Sequence, residues 1–199
     1  GSACQLDNAA KPMAAVFPVT KRGAFSFAAW LRPAELDRDV ALLSAMEFNR
    51  NPAATTYGAG VELRIVNGEL EFRFGQRFPS YAARVQSVGA RLGPAAWRHI
   101  AMVYEGAPAG ANRVQASWVR FFADGRELET KVINDGAPMP DAKSDRPSQT
   151  RFRIGWDNGP GSPRFQGEFE DLRGWARALA PAEIRTALRI SSPALESLE

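Results

Sequence analysis

His99 is the only histidine and Cys4 the only cysteine among 199 residues, and these two counts remove most metal and nucleophile chemistry at once. A two-histidine metal site, a facial triad, a cysteine-based zinc or haem motif and an internal disulfide all need more of these residues than the chain has. A Ser-His-Asp triad would have to run through His99, which stands between Arg98 and Ile100 at the start of an apolar run. No Gly-x-Ser-x-Gly elbow accompanies it, so a hydrogen-bonded strand histidine accounts for it. Gly58-Ala59-Gly60 lacks the third glycine and the following helix of a phosphate loop. What remains suits recognition. Pyranose rings offer CH patches together with hydroxyls, so a sugar site needs exposed aromatic faces beside planar polar groups. Arg77-Phe78-Pro79-Ser80-Tyr81 and Trp156-Asp157-Asn158-Gly159 have that mixture, which makes Arg77, Phe78, Tyr81, Trp156, Asp157 and Asn158 the candidate ligand contacts. The same aromatics would equally serve by capping the open ends of a hydrophobic core.

The elements that must position these residues read as strands. Apolar residues alternate with polar ones, and turn residues punctuate the runs, as in an antiparallel all-β domain. The clearest strands are residues 25–31, 40–46, 61–66, 69–74, 83–88, 99–104, 115–123, 126–133, 151–155 and 165–175. Asn67-Gly68 and Asp124-Gly125 predict two-residue hairpins, and the alternation on both sides of Asn67-Gly68 gives each strand one buried and one wet face. With no helical periods between the strands, a two-sheet sandwich buries the apolar faces. Phe27, Trp30, Leu63, Ile65, Phe72, Ile100, Val119, Phe121, Ile154 and Phe169 should supply the interior, and Trp97, Trp118 and Trp175, also read as strand residues, belong to the core rather than to a ligand. Pro181 to Leu188 reads as a short helix, with Pro in the first turn and Glu183 near its positive end. The reading divides the chain into an N-terminal tail with a Gly1-Ser2 cloning scar at 1–12, a sandwich at 13–190 and a C-terminal tail at 191–199.

Composition sets the class of partner. Apolar residues are 45% and charged residues 24%, enough for a packed core. Lys plus Arg is 25 and Asp plus Glu is 22, so the net charge is 25 − 22 = +3, spread along the sequence rather than gathered in a stripe. That balance argues against a nucleic-acid partner. No apolar run reaches the length of a membrane span.

The blocks Ala24 to Pro33, Trp97 to Gly106, Val119 to Leu128 and Phe152 to Ile184, in this order and spacing, resemble the LamG-like domains of the concanavalin A-like lectin/glucanase superfamily. The variant is similar to LamG-like domains embedded in large secreted bacterial proteins that carry c-type cytochrome modules. The resemblance implies an all-β, two-sheet antiparallel jelly-roll sandwich with a short C-terminal helix. It also implies a secreted or periplasmic bacterial setting, with neighbouring domains as partners and a glycan as possible ligand. Calcium in that superfamily is held by loop carbonyls and acidic side chains, which points to Glu170 of the Glu170-Asp171 pair as a metal ligand. Retaining glucanases of the superfamily carry three carboxylates at alternate positions of one strand; here that register reads Glu168, Glu170 and Leu172, so the third group is missing. The expectation is a non-catalytic glycan-binding module. A protein-interaction or spacer domain and a glucanase-like hydrolase stay open as alternatives.

Overall fold

In the computed structural model the described residues are 4–6, 13–36, 39–47, 59–77, 81–139, 148–159 and 161–190. In chain order the strands are β1 (Cys4–Leu6), β2 (Met13–Val19), β3 (Phe25–Pro33), β4 (Val40–Ser44), β5 (Gly60–Val66), β6 (Glu69–Arg77), β7 (Tyr81–Val88), β8 (Arg98–Tyr104) and β9 (Arg113–Val114). They continue as β10 (Val119–Ala123), β11 (Arg126–Asn134), β12 (Ala137–Pro138), β13 (Ser148–Ile154) and β14 (Gly167–Trp175), before the helix α1 (Pro181–Ile190). Every pairing is antiparallel. Twelve strands form one hydrogen-bonded ribbon in the order β1-β14-β3-β8-β10-β11-β7-β6-β5-β4-β13-β2, while β12 and β9 pair separately.

β11 turns this ribbon into a sandwich. Its first part, through Leu128, pairs with β10, and from Glu129 onward it pairs with β7. The first sheet therefore holds β1, β14, β3, β8 and β10, and the second holds β7, β6, β5, β4, β13 and β2. This is the expected jelly-roll sandwich, closed by apolar burial between two antiparallel layers. Nine of the ten expected interior residues join one buried cluster: Phe27, Leu63, Ile65, Phe72, Ile100, Val119, Phe121, Ile154 and Phe169. Trp30 is also buried but on the opposite side of the first sheet, where it meets His99 edge to face at 5.3 Å between ring centroids.

Both hairpin turns form as read. Asn67 and Gly68 have φ of 52° and 74°, and Asp124 and Gly125 have 49° and 74°, the pair of positive φ values that a two-residue turn matching strand twist requires. α1 lies on the outside of the first sheet, where Ile184 packs with Ala28, Ala101, Val103, Phe122 and Leu179. Ser26 Oγ receives the Leu179 N–H at 3.0 Å and donates to the Arg177 carbonyl at 2.9 Å, fixing the segment that leads into the helix. Among the described residues no helix is long and apolar enough to cross a membrane.

Three expectations are corrected. Residues 115–123 are not one strand, because Ala116–Trp118 makes a 3-10 turn before β10, so Trp118 lies outside a strand, half-buried against the core. Trp97 likewise precedes β8, with the Arg32 guanidinium 5.3 Å above its ring. Met13–Val19, not read as a strand, pairs along its whole length with β13 and forms the edge of the second sheet, the one position where a ladder tolerates Pro18.

Candidate functional site

The expected wet face of β5 and β6 is instead buried. The Asn67-Gly68 turn sets Glu62 opposite Arg73 and Arg64 opposite Glu71, opposite charges at cross-strand positions that attract. Glu62 and Glu71 are each 1% exposed and Arg64 is 6% exposed. Such groups stay inside only when paired, and these are. Arg64 Nη1 donates to Asp157 Oδ2 at 2.6 Å and lies 3.2 Å from Glu62 Oε2. Arg73 Nη1 lies 3.7 Å from Glu62 and its Nε donates to Glu71 at 2.5 Å, while Arg84 from β7 meets Glu71 at 2.9 Å. The result is a row of alternating charges, Asp157, Arg64, Glu62, Arg73, Glu71 and Arg84, across the outside of the second sheet. Burial pushes the Glu62 carboxyl above the usual carboxylate range, against the pull of Arg64.

This row anchors the loop after β13. Asp157, 5% exposed, accepts from Arg64 on Oδ2 and from the Gly159 N–H on Oδ1 at 2.7 Å. The Phe165 N–H donates to the Gly155 carbonyl at 2.8 Å and closes the loop at its base. Trp156 is held half-buried with the guanidiniums of Arg153 and Arg164 at 5.5 and 5.7 Å from its ring centroid. Its Nε1 is shielded and has no acceptor. Asn158 Nδ2 donates to Glu47 Oε2 at 3.2 Å, and Arg153 holds the other Glu47 oxygen at 2.8 Å.

Trp156, Asp157 and Asn158 thus come together on the outside of the second sheet. Arg77 and Tyr81 meet elsewhere, as Cα partners where β6 turns into β7, with Tyr81 50% exposed. By strand alternation Tyr81 belongs to the face of Ala83 and Val85, which enter the core, so Tyr81 and the Trp156 cluster stand on opposite faces of the sheet. Phe78 lies outside the described residues.

Glu168 and Glu170 keep one face, but β14 does not keep the simple alternation beyond them. Asp171 has φ 49° at a register shift between Glu170 and Arg173, a bulge that turns the strand by one residue. Leu172 is thereby carried to the core side, beside Phe169 and Leu63, and no longer shares a face with Glu168 and Glu170. Glu170 is half-buried opposite Trp30, while Glu168 binds Arg32 at 2.7 Å and Asp171 binds Arg173 at 2.7 Å. Both neighbouring carboxylates are held by arginines, and no three His, Cys, Asp or Glu side chains gather among the described residues. His99, 2% exposed, has its imidazole pKa lowered to about 4, chiefly by burial. Its Nδ1 has no hydrogen-bond partner.

No curated protein sequence matches the chain. Solved structures similar in fold include a candidate carbohydrate-binding protein from Bacteroides ovatus, at TM-score 0.57 and 17% identity, covering 92% of this chain and 45% of that one. A second is the CBM40 domain of a Ruminococcus gnavus IT-sialidase bound to α2,3-sialyllactose, at TM-score 0.55 and 11% identity, covering 83% and 82%. A third is botulinum neurotoxin type C, whose cell entry depends on two ganglioside molecules, at TM-score 0.51 and 12% identity, covering 86% and 36%. The chain thus spans less than half the length of the first and third of these. At such identities the likeness concerns the fold. The profile of the Laminin_G_3 family matches residues 7–185, nearly the whole chain. On that match the chain belongs to the concanavalin A-like lectin/glucanases superfamily.

Proposed function

We propose that the chain is a non-catalytic glycan-binding module of a larger secreted protein, and that its ligand meets the Trp156 to Asn158 loop on the outside of the second sheet. The observation that carries this reading is the half-buried Trp156 ring, set beside the exposed Glu47 carboxylate and the Asn158 amide in a loop held down by the buried Arg64–Asp157 bond. The exposed part of that ring meets the CH groups of a sugar, and the adjacent Glu47 carboxylate, whose side chain is 69% exposed, accepts from a hydroxyl. Asp157 then serves as the clamp beneath the ligand, not as a contact to it. The carbohydrate- and ganglioside-binding domains of similar fold support the ligand class. The bulge that sends Leu172 into the core supports the absence of hydrolysis, since the third position of the glucanase register holds no carboxylate and neighbouring Asp171 is bound by Arg173.

A glycan array run with and without EDTA tests ligand class and metal dependence together. Titration calorimetry of Trp156→Ala and Tyr81→Ala against the best hit then locates the site. Loss with Trp156→Ala alone supports the loop; loss with Tyr81→Ala alone moves the site to the β6–β7 rim. No retained glycan at all favours the spacer reading.

A further inference from the structure

We infer that Arg64 is the latch holding the Trp156 loop on the second sheet and that Glu62 competes with Asp157 for it, so that the charge on Glu62 sets how firmly the loop is held. This regulation rests on the reading that the loop is the ligand-binding element.

One nitrogen serves both acids. Arg64 Nη1 is 2.6 Å from Asp157 and 3.2 Å from Glu62, while Nη2 donates to the Asp39 carbonyl at 3.2 Å. Neither Glu62 oxygen makes a hydrogen bond of good geometry, although the residue is 1% exposed and Arg64, Arg73 and the Ser44 hydroxyl stand around it. A buried carboxylate in that state draws on whatever cation is nearest. The groups facing it are Arg64 on its own strand, Arg73 from β6 with Glu71 behind it, Ser44 from β4 and Asp157 from the loop. Arg153 of β13 lies beyond Ser44, committed to Glu47 and the Met46 carbonyl.

Burial, with a smaller contribution from Asp157, makes Glu62 take up a proton above the usual carboxylate range, while Arg64, Ser44 and Arg73 oppose this. The folded state therefore holds that proton more tightly than the unfolded chain. The stabilisation is present at low pH and is lost as pH rises through the folded value. Protonated Glu62 gives up its claim on Arg64, and the guanidinium passes to Asp157.

The test is the hydrogen-exchange protection of the Gly159 amide, followed by NMR on the full chain. Asp157→Asn keeps an Oδ1 to accept from Gly159 but surrenders the charge that Arg64 holds, and protection should fall about tenfold. Glu62→Gln should raise protection about threefold. It should also abolish the rise in protection that the unaltered protein shows as pH falls through the raised titration range of Glu62. Unchanged or lower protection in Glu62→Gln, or unchanged protection in Asp157→Asn, overturns the latch. If Asp157→Asn does not melt as a folded protein, Arg64→Lys, which keeps the charge without the fork, is read in its place. Protection that moves as expected while glycan affinity stays constant leaves the latch standing and removes the ligand from this loop. Affinity that depends on Trp156 while protection stays fixed does the reverse.

Discussion

Arg64 on β5 and Asp157 in the loop after β13, 93 residues apart in sequence, meet at 2.6 Å with side chains 8% and 1% exposed. Removing Arg64 strands both Asp157 and Glu62, so Arg64→Ala should lower stability by about 3 to 5 kcal/mol, while Asp157→Ala should cost less because Glu62 stays beside Arg64. The double substitution should cost clearly less than the sum of the two. Urea unfolding of the three variants checks this, and simple additivity would show that the pair does not act as a unit.

The His99 imidazole, with a pKa of about 4 against an ordinary 6.5, ties stability to mild acid. The unfolded chain binds the proton more readily, so stability falls as pH drops from about 6.5 to about 4. The total is about 3 kcal/mol, at 1.36 kcal/mol per pKa unit. Melting curves of the unaltered protein and of His99→Gln should diverge in slope across that window, and parallel slopes would assign the acid sensitivity to other groups.

Restoring the missing carboxylate should not create an enzyme. Leu172→Glu places an acid on the core side of the Asp171 bulge, beside Phe169 and Leu63. The expected result is destabilisation of about 2 to 4 kcal/mol and no release of reducing sugar from β-glucans. Turnover by this variant, or turnover by the natural chain that Glu168→Gln or Glu170→Gln abolishes, would overturn the non-catalytic reading.

Gly174 on β14 leaves no room for a side chain, because an added Cβ would run into the ring of Phe17 on β2. Gly174→Ala should cost about 1 to 3 kcal/mol through overpacking. Thermal denaturation of Gly174→Ala alone and combined with Phe17→Leu separates the clash from a backbone effect, since only the clash is relieved by the smaller partner.

Trp156→Ala should weaken binding of the best array glycan about 5- to 150-fold, taking about 1 to 3 kcal/mol for an aromatic platform by analogy with base stacking. Calorimetry on a variant with an unchanged melting temperature is the measurement. An unchanged affinity removes Trp156 from the site.

The sandwich was legible in the sequence because its strands obey period two and its tight turns carry Asn-Gly and Asp-Gly. These signals are local, and Phe72, Ile65 and Phe121 reach the core as they predict. The bulge at Asp171 was not legible: a single non-glycine residue at positive φ leaves the surrounding alternation almost unchanged yet reverses the face of Leu172. β2 was hidden by Pro18, which argues against a central strand but suits an edge. The charge row was half visible. The Asn67-Gly68 register already sets Glu62 against Arg73 and Arg64 against Glu71, but charged residues at alternate positions normally mark a solvated face. Only the long-range return of Asp157 shows the face to be enclosed.

The single ribbon that bends at β11 also bears on self-association. A two-layer sandwich of independent sheets exposes four lateral rows of unpaired backbone N–H and C=O groups, each a template for another chain. Among the described residues the twelve-strand order leaves two, β1 and β2. The first is three residues long and the second is interrupted by Pro18, so neither offers a long uninterrupted ladder. Edge-to-edge growth into aggregates is thereby discouraged by topology, without reliance on surface charge.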